Sequence, residues 1–197
     1  EITDSLVGSE MCIRDRILSG AGVVIGGAIE ECKKLAEKLD APVCNGYQHN
    51  DSFPGSHPLA VGPLGYNGSK AAMELISKAD VVLALGTRLN PFSTLPGYGI
   101  DYWPKNATII QVDMNPDRIG LTKKVTVGIC GDAKQVAQQI LDKLSSDAGN
   151  SGRDDRKNLI HKTKSAWLQT LAGLDHEEDD PGTVWNKEAR ERDKDRM

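Results

Sequence analysis

Residues 81–86, VVLALG, form an apolar run with no alternation. A strand with one wet face alternates apolar and polar residues, so an unbroken run marks a strand covered on both faces. Its surroundings supply the covers. Ile25, Ala28, Ile29, Cys32, Leu35, Ala36 and Leu39 recur at helical spacing, opposite Glu30, Glu31, Lys33, Lys34, Glu37 and Lys38. A second helix is expected from about Gly68, and Val136, Ala137, Ile140, Leu141 and Leu144 mark a third. Short apolar runs at 17–19, 42–44, 108–113 and 124–129 read as further strands. Strands alternating with helices call for parallel pairing and right-handed crossovers. The expected fold is α/β, an open doubly wound parallel sheet of Rossmann-like type, followed by a linker and an amphipathic helix.

Composition excludes several functions. The 197 residues are 39% apolar and 26% charged with a net charge of −4, which gives no basic surface for nucleic acid or an anionic membrane. No apolar run approaches the ~18 residues a membrane span needs, and no signal-peptide pattern is visible. The four cysteines show no CxxC spacing; Cys32, Cys44 and Cys130 sit among apolar residues and are expected to be buried free thiols, which suits a reducing cytoplasm.

Three regions follow. Residues 1–16 lack periodicity, and SLVGSEMCIRDR within them resembles a translated sequencing-adapter remnant, so they are expected to be a non-native leader outside the fold. Residues 17–145 form one nucleotide-type domain. Residues 146–197 begin with a linker, SSDAGNSGRDD, and continue as a helix over about 155–174 carrying Leu159, Ile160, Ala166, Trp167, Thr170, Leu171 and Leu174. Beyond Asp175 charges of both signs dominate, as expected for an extended lead into a further domain.

In an open parallel sheet, ligands bind beyond the carboxyl ends of the strands, near the switch in strand order. Gly20 and Gly22 follow the first strand, where glycine lets the backbone approach a phosphate or simply turn. Gly26-Gly27 does not complete a dinucleotide fingerprint. Arg88 can meet a phosphate or a neighbouring domain's carboxylate. Asp113 can accept ribose hydroxyls or cap the Asn115-Pro116 turn. Asp132 is expected to N-cap the third helix. His49 and His57, with Asp51 nearby, lack a third ligand at metal-site spacing and are assigned to loop ordering or a subunit contact. Tyr47, Tyr66, Phe92, Tyr98, Tyr102 and Trp103 all fall in two long loops, where aromatics favour an interface or a channel wall. No nucleophile elbow, Walker motif or Ser/His/Asp arrangement is present, so no catalytic residue is assigned.

The segments ILSGAGVV, HPLAVGPLGYNG, ADVVLALGTRL, IIQVDMNPDRIG and ICGDAKQV resemble the central domain of thiamine-diphosphate-dependent enzymes, the decarboxylases and acetolactate synthases. The resemblance implies a subunit of three domains, with the activating Glu in the first and a GDG-to-Asn Mg2+ motif in the third. Thiamine diphosphate and Mg2+ are then held by those flanking domains, between subunits of a homodimer or homotetramer. Gly131-Asp132 is followed by Ala133 and does not match the metal motif. Some members hold FAD or ADP in the central crevice at positions similar to Gly20, Arg88 and Asp113; in others that crevice is structural. The loops GYQHNDSFPGSHPL and NPFSTLPGYGIDYWP resemble a sulfonate-cleaving acyltransferase of the family. LNPFSTLP departs from the charged loop of acetolactate synthases, the runner-up. A stand-alone nucleotide-binding module of the sirtuin kind would need a complete Gly-rich loop, a catalytic His motif and a zinc module; a bare oligomerisation scaffold is the third alternative.

Overall fold

The computed structural model describes residues 14–65, 68–146, 148 and 152–174. Six parallel strands form one sheet: β1 (Asp15–Ser19), β2 (Val43–Asn45), β3 (Ala60–Pro63), β4 (Val81–Leu85), β5 (Thr108–Asp113) and β6 (Val127–Cys130), in the spatial order β3-β2-β1-β4-β5-β6. The order reverses between β1 and β4, which is where a doubly wound sheet opens a crevice. The helices are α1 (Ala21–Ile25), α2 (Ile29–Leu39), α3 (Lys70–Ile76), α4 (Ala133–Lys143) and α5 (Arg153–Leu174). Helix α2 packs on α4, and α3 packs on α5.

Strand β4 is buried at all five positions, as its unbroken apolar run requires. Its neighbour β1 pairs with it from Asp15↔Val81 to Ser19↔Leu85. The strand therefore begins two residues before the boundary read at residue 17. Backbone pairing is indifferent to side chain, and Arg16 is accommodated because its Nε donates to the Leu75 carbonyl at 3.0 Å. That places a cation at the C-terminal end of α3, where the helix dipole favours it. Arg14, just before β1, pairs with Asp80 at 2.9 Å, and residues 1–13, including Cys12, lie outside the described residues.

Three further differences have local causes. The helix read through residue 25 is two helices, because Gly26-Gly27 interrupts it and Gly27 takes φ +61°. Strand β3 was hidden in the first long loop: its Gly-Pro ending and its place at the sheet edge erase the apolar signature. At the other edge, β6 spans Val127–Cys130 and not 124–129, and its side chains alternate, which leaves Cys130 exposed. The expectation of a buried thiol there is corrected. Cys32 and Cys44 are buried, and burial pushes both thiols up to about 12.

Candidate functional site

The carboxyl ends of β1, β2, β4 and β5 surround a cavity of about 280 Å3. Ala21 borders it after β1, Tyr47 and His49 after β2, Thr87 and Arg88 after β4, and Asp113 closes it from β5. The sheet thus brings Arg88 and Asp113 together, as read from their positions. Arg88 is exposed, whereas Asp113 is buried and its Oδ1 accepts the Asn115 N–H at 2.9 Å. The capping role of Asp113 is therefore realised, and its other oxygen remains for a further donor.

Gly20 and Gly22 let two turns meet closely. A Cβ on Gly20 would lie 2.6 Å from the Thr87 Cβ and 2.7 Å from the Gly86 carbonyl oxygen. A Cβ on Gly22 would lie 2.7 Å from the Gly86 Cα. These glycines let the turn after β1 lie against the turn after β4, and Gly22 N–H donates to the Gly86 carbonyl at 2.8 Å. They set the cavity's wall; Ala21 between them is the residue that faces it.

Several pocket residues carried no assignment from the sequence. Asn90 and Ser93 belong to the second loop, Gln48 sits at φ +70°, and Arg118 follows the Asn115-Pro116 turn. Only Arg118 carried a legible signal, as a second cation beside a carboxyl-end turn.

The loops are ordered by a polar network. The Ser19 hydroxyl bonds to that of Ser52, Asn45 Nδ2 donates to Ser52 Oγ at 3.0 Å, and Ser52 Oγ donates to the His49 carbonyl at 2.8 Å. Tyr47 N–H donates to Ser93 Oγ at 2.8 Å, which ties the first loop to the second. The buried Tyr102 hydroxyl donates to the Ser93 carbonyl at 2.9 Å, and burial raises its pKa. Tyr47 and Phe92 stack at 5.6 Å while remaining exposed. Tyr98 meets Trp167 of α5 edge-on at 5.6 Å, and Lys123 sits over Trp103. Tyr66 lies outside the described residues.

The histidines separate. His57 Nδ1 accepts the Leu59 N–H and its Nε2 lies 3.2 Å from Glu37, while His49 borders the cavity. Among the described residues no group of three His, Cys, Asp or Glu side chains is placed to hold a metal ion. Asp132 caps α4, its Oδ1 accepting the N–H groups of Lys134 and Gln135 at 3.0 Å each. With Asp132 so engaged and no carboxylate cluster beside it among the described residues, those residues do not fit thiamine diphosphate with its Mg2+.

The family model for the thiamine pyrophosphate enzyme central domain matches residues 14–140. The chain belongs to this family. A probable sulfoacetaldehyde acetyltransferase of Rhizobium meliloti (strain 1021) is 78% identical over 181 residues, covering 92% of this chain and 31% of its own length. A sulfoacetaldehyde acetyltransferase of Roseovarius nubinhibens is 74% identical over 174 residues, covering 88% and 29%. Identity falls to 37% over 161 residues, covering 82% and 25%, for a probable acetolactate synthase large subunit of Methanocaldococcus jannaschii. The chain thus spans about a third of the length of these curated relatives. An X-ray structure of a protein assigned as a thiamin diphosphate-dependent enzyme from Mycobacterium smegmatis shares the fold, with a TM-score of 0.59 at 24% identity over 74% of this chain and 27% of that one. No described helix is long and apolar enough to cross a membrane.

Proposed function

We propose that this chain is the central part of a longer enzyme that converts sulfoacetaldehyde and phosphate to acetyl phosphate and sulfite, a step of sulfonate (taurine) degradation in the cytoplasm. The observation that carries this reading is 78% identity over 181 residues with a protein named for that activity, twice the identity to an acetolactate synthase large subunit. The reaction breaks the carbon–sulfur bond, releases sulfite with the bonding electrons, and joins the remaining acetyl unit to a phosphate oxygen. Thiamine diphosphate with Mg2+, held by flanking domains of a homodimer or homotetramer, supplies the electron sink.

This chain's own contribution is positional. Its buried strands hold the two loops, and the Tyr47–Ser93 and Tyr102–Ser93 bonds fix one loop on the other. The longer protein, supplied with sulfoacetaldehyde, phosphate, thiamine diphosphate and Mg2+, is expected to release sulfite and form acetyl phosphate. Acetolactate formation from pyruvate, with no sulfite released, overturns the assignment. Light scattering on the same protein tests the oligomer.

A second reading concerns the cavity. Arg88 and Arg118 beside Asp113, at a strand-order switch, suit the phosphates and ribose of a nucleotide such as ADP or FAD. The volume of about 280 Å3 lies near the lower end of small-ligand sites, about 300–1,000 Å3. Millimolar ADP or FAD is expected to raise the melting temperature, and an Arg88→Ala chain to lose the shift. An unchanged melting temperature makes the crevice structural.

A further inference from the structure

Helix α5 opens with Arg153, Arg156 and Lys157, which share one face by their i, i+3, i+4 spacing. Cations at this end oppose the helix dipole, which favours negative charge at an amino terminus. Their reason lies across the interface. Asp40 Oδ2 stands 3.4 Å from Arg153 Nε and 3.9 Å from Lys157 Nζ. Arg156 is 3% exposed; burial lowers its pKa, and the Asp40 and Asp15 carboxylates pull it back up. Both carboxylates are buried, Asp40 at the end of α2 and Asp15 at the start of β1. Asp40 closes α2 at φ +53°, a conformation that Gly or Asn supplies more easily. The turn does not need a carboxylate; the contact with α5 does.

Apolar burial holds α5 much less than it holds its neighbour. Among the described residues of α5, Ile160 is the one side chain in the apolar core, with Leu159 partly buried beside it. Helix α3 contributes Ala72, Met73, Leu75 and Ile76 to the same core. Leu168 and Leu171, expected in the apolar stripe of α5, are exposed. Farther along, Lys164 Nζ donates to the Pro58 carbonyl at 3.0 Å, and Trp167 meets Tyr98 edge-on. The six strands pair with one another without any part of α5.

We propose that α5 is a releasable strap, latched to the sheet by two buried carboxylates against three cations of its first turns. It opens as one unit and uncovers Leu59 and the adjoining side of α3, while the sheet stays folded. Buried ion pairs contribute little net stability because desolvation offsets their attraction, yet removing one partner is strongly destabilising. Charge is thus a latch that a single substitution undoes. On release the three cations face their own helix dipole without the carboxylates. Most of a helix's stability comes from packing, so the freed α5 melts and its amides exchange.

Hydrogen exchange on the 197-residue chain tests this. Amides at 157–170 should exchange together, at least about a hundredfold faster than those of β4 and with little dependence on low urea, as a local opening does. Asp40→Asn removes the charge while keeping the shape and tolerating the left-handed backbone. It should speed exchange in α5 by at least about tenfold and leave β4 unchanged. Exchange of α5 and β4 at one rate in the parent chain overturns the proposal. So does an Asp40→Asn chain in which both speed up alike, or in which neither changes.

Discussion

Gly22→Ala is the substitution that most directly tests how the two switch-point turns meet. The added Cβ would stand 2.7 Å from the Gly86 Cα, 3.1 Å from its carbonyl oxygen and 3.2 Å from its carbonyl carbon. Ordinary contact begins at 3.4 Å, so the nearest atom is at least 0.7 Å too close. All three neighbours are backbone, and Gly86 follows a strand paired on both sides, so neither turn can yield by rotating a side chain. Overpacking of this kind costs about 1–3 kcal/mol. Gly22 lies in α1 without a positive φ, so alanine also brings a helix-propensity gain of about 1 kcal/mol. The rigid neighbours favour the upper part of the overpacking range, and the expected net loss is about 1–2 kcal/mol. At about 2–4 °C per kcal/mol for a chain of this size, the melting point falls by roughly 2–8 °C. Urea denaturation of the parent and variant chains measures the difference. A variant as stable as the parent, or more so, would mean that propensity outweighs contact and would refute the close-approach role.

Burial raises the Asp15 carboxyl to about 7 against the opposing pull of Arg156 and Arg16. The folded state therefore holds this proton more tightly than the unfolded chain, and stability should fall as pH rises from about 4 to 7, then level off. The fall should be smaller in Asp15→Asn, compared by urea midpoints at pH 5 and 8; identical pH profiles would exclude Asp15 as the source. Asp132→Ala removes the acceptor for two α4 N–H groups and should cost about 1 kcal/mol, read from the urea midpoint. Tyr102→Phe leaves the Ser93 carbonyl without its buried donor and should cost about 1–2 kcal/mol, with faster exchange at the Tyr47 amide as the local readout. Among the described cysteines, Cys130 should react with a thiol reagent in the native chain while Cys32 and Cys44 react only on unfolding; equal rates would contradict the burial pattern.

The framework was legible because each core element carried a one-dimensional signature. The unbroken run at 81–85, the 3.6-residue period of α2 and the Asp at the start of α4 each state a requirement that neighbouring residues satisfy locally. Strand β3 had no such signature, since an edge strand needs burial on fewer sides and tolerates Gly and Pro. For the candidate site, Arg88 and Asp113 could be found because they end strands. Asn90 and Ser93 could not, because their place depends on how a long loop folds back over the sheet.

Sequence alone determined the class of fold, the family resemblance and the residues at the strand tips, because period and strand length are properties of consecutive residues. Only the tertiary structure decided that Gly20 and Gly22 let two turns lie in contact and that Cys130 faces solvent. Each of these depends on residues far apart in the chain meeting across the sheet, and distance in space is not written in the order of residues.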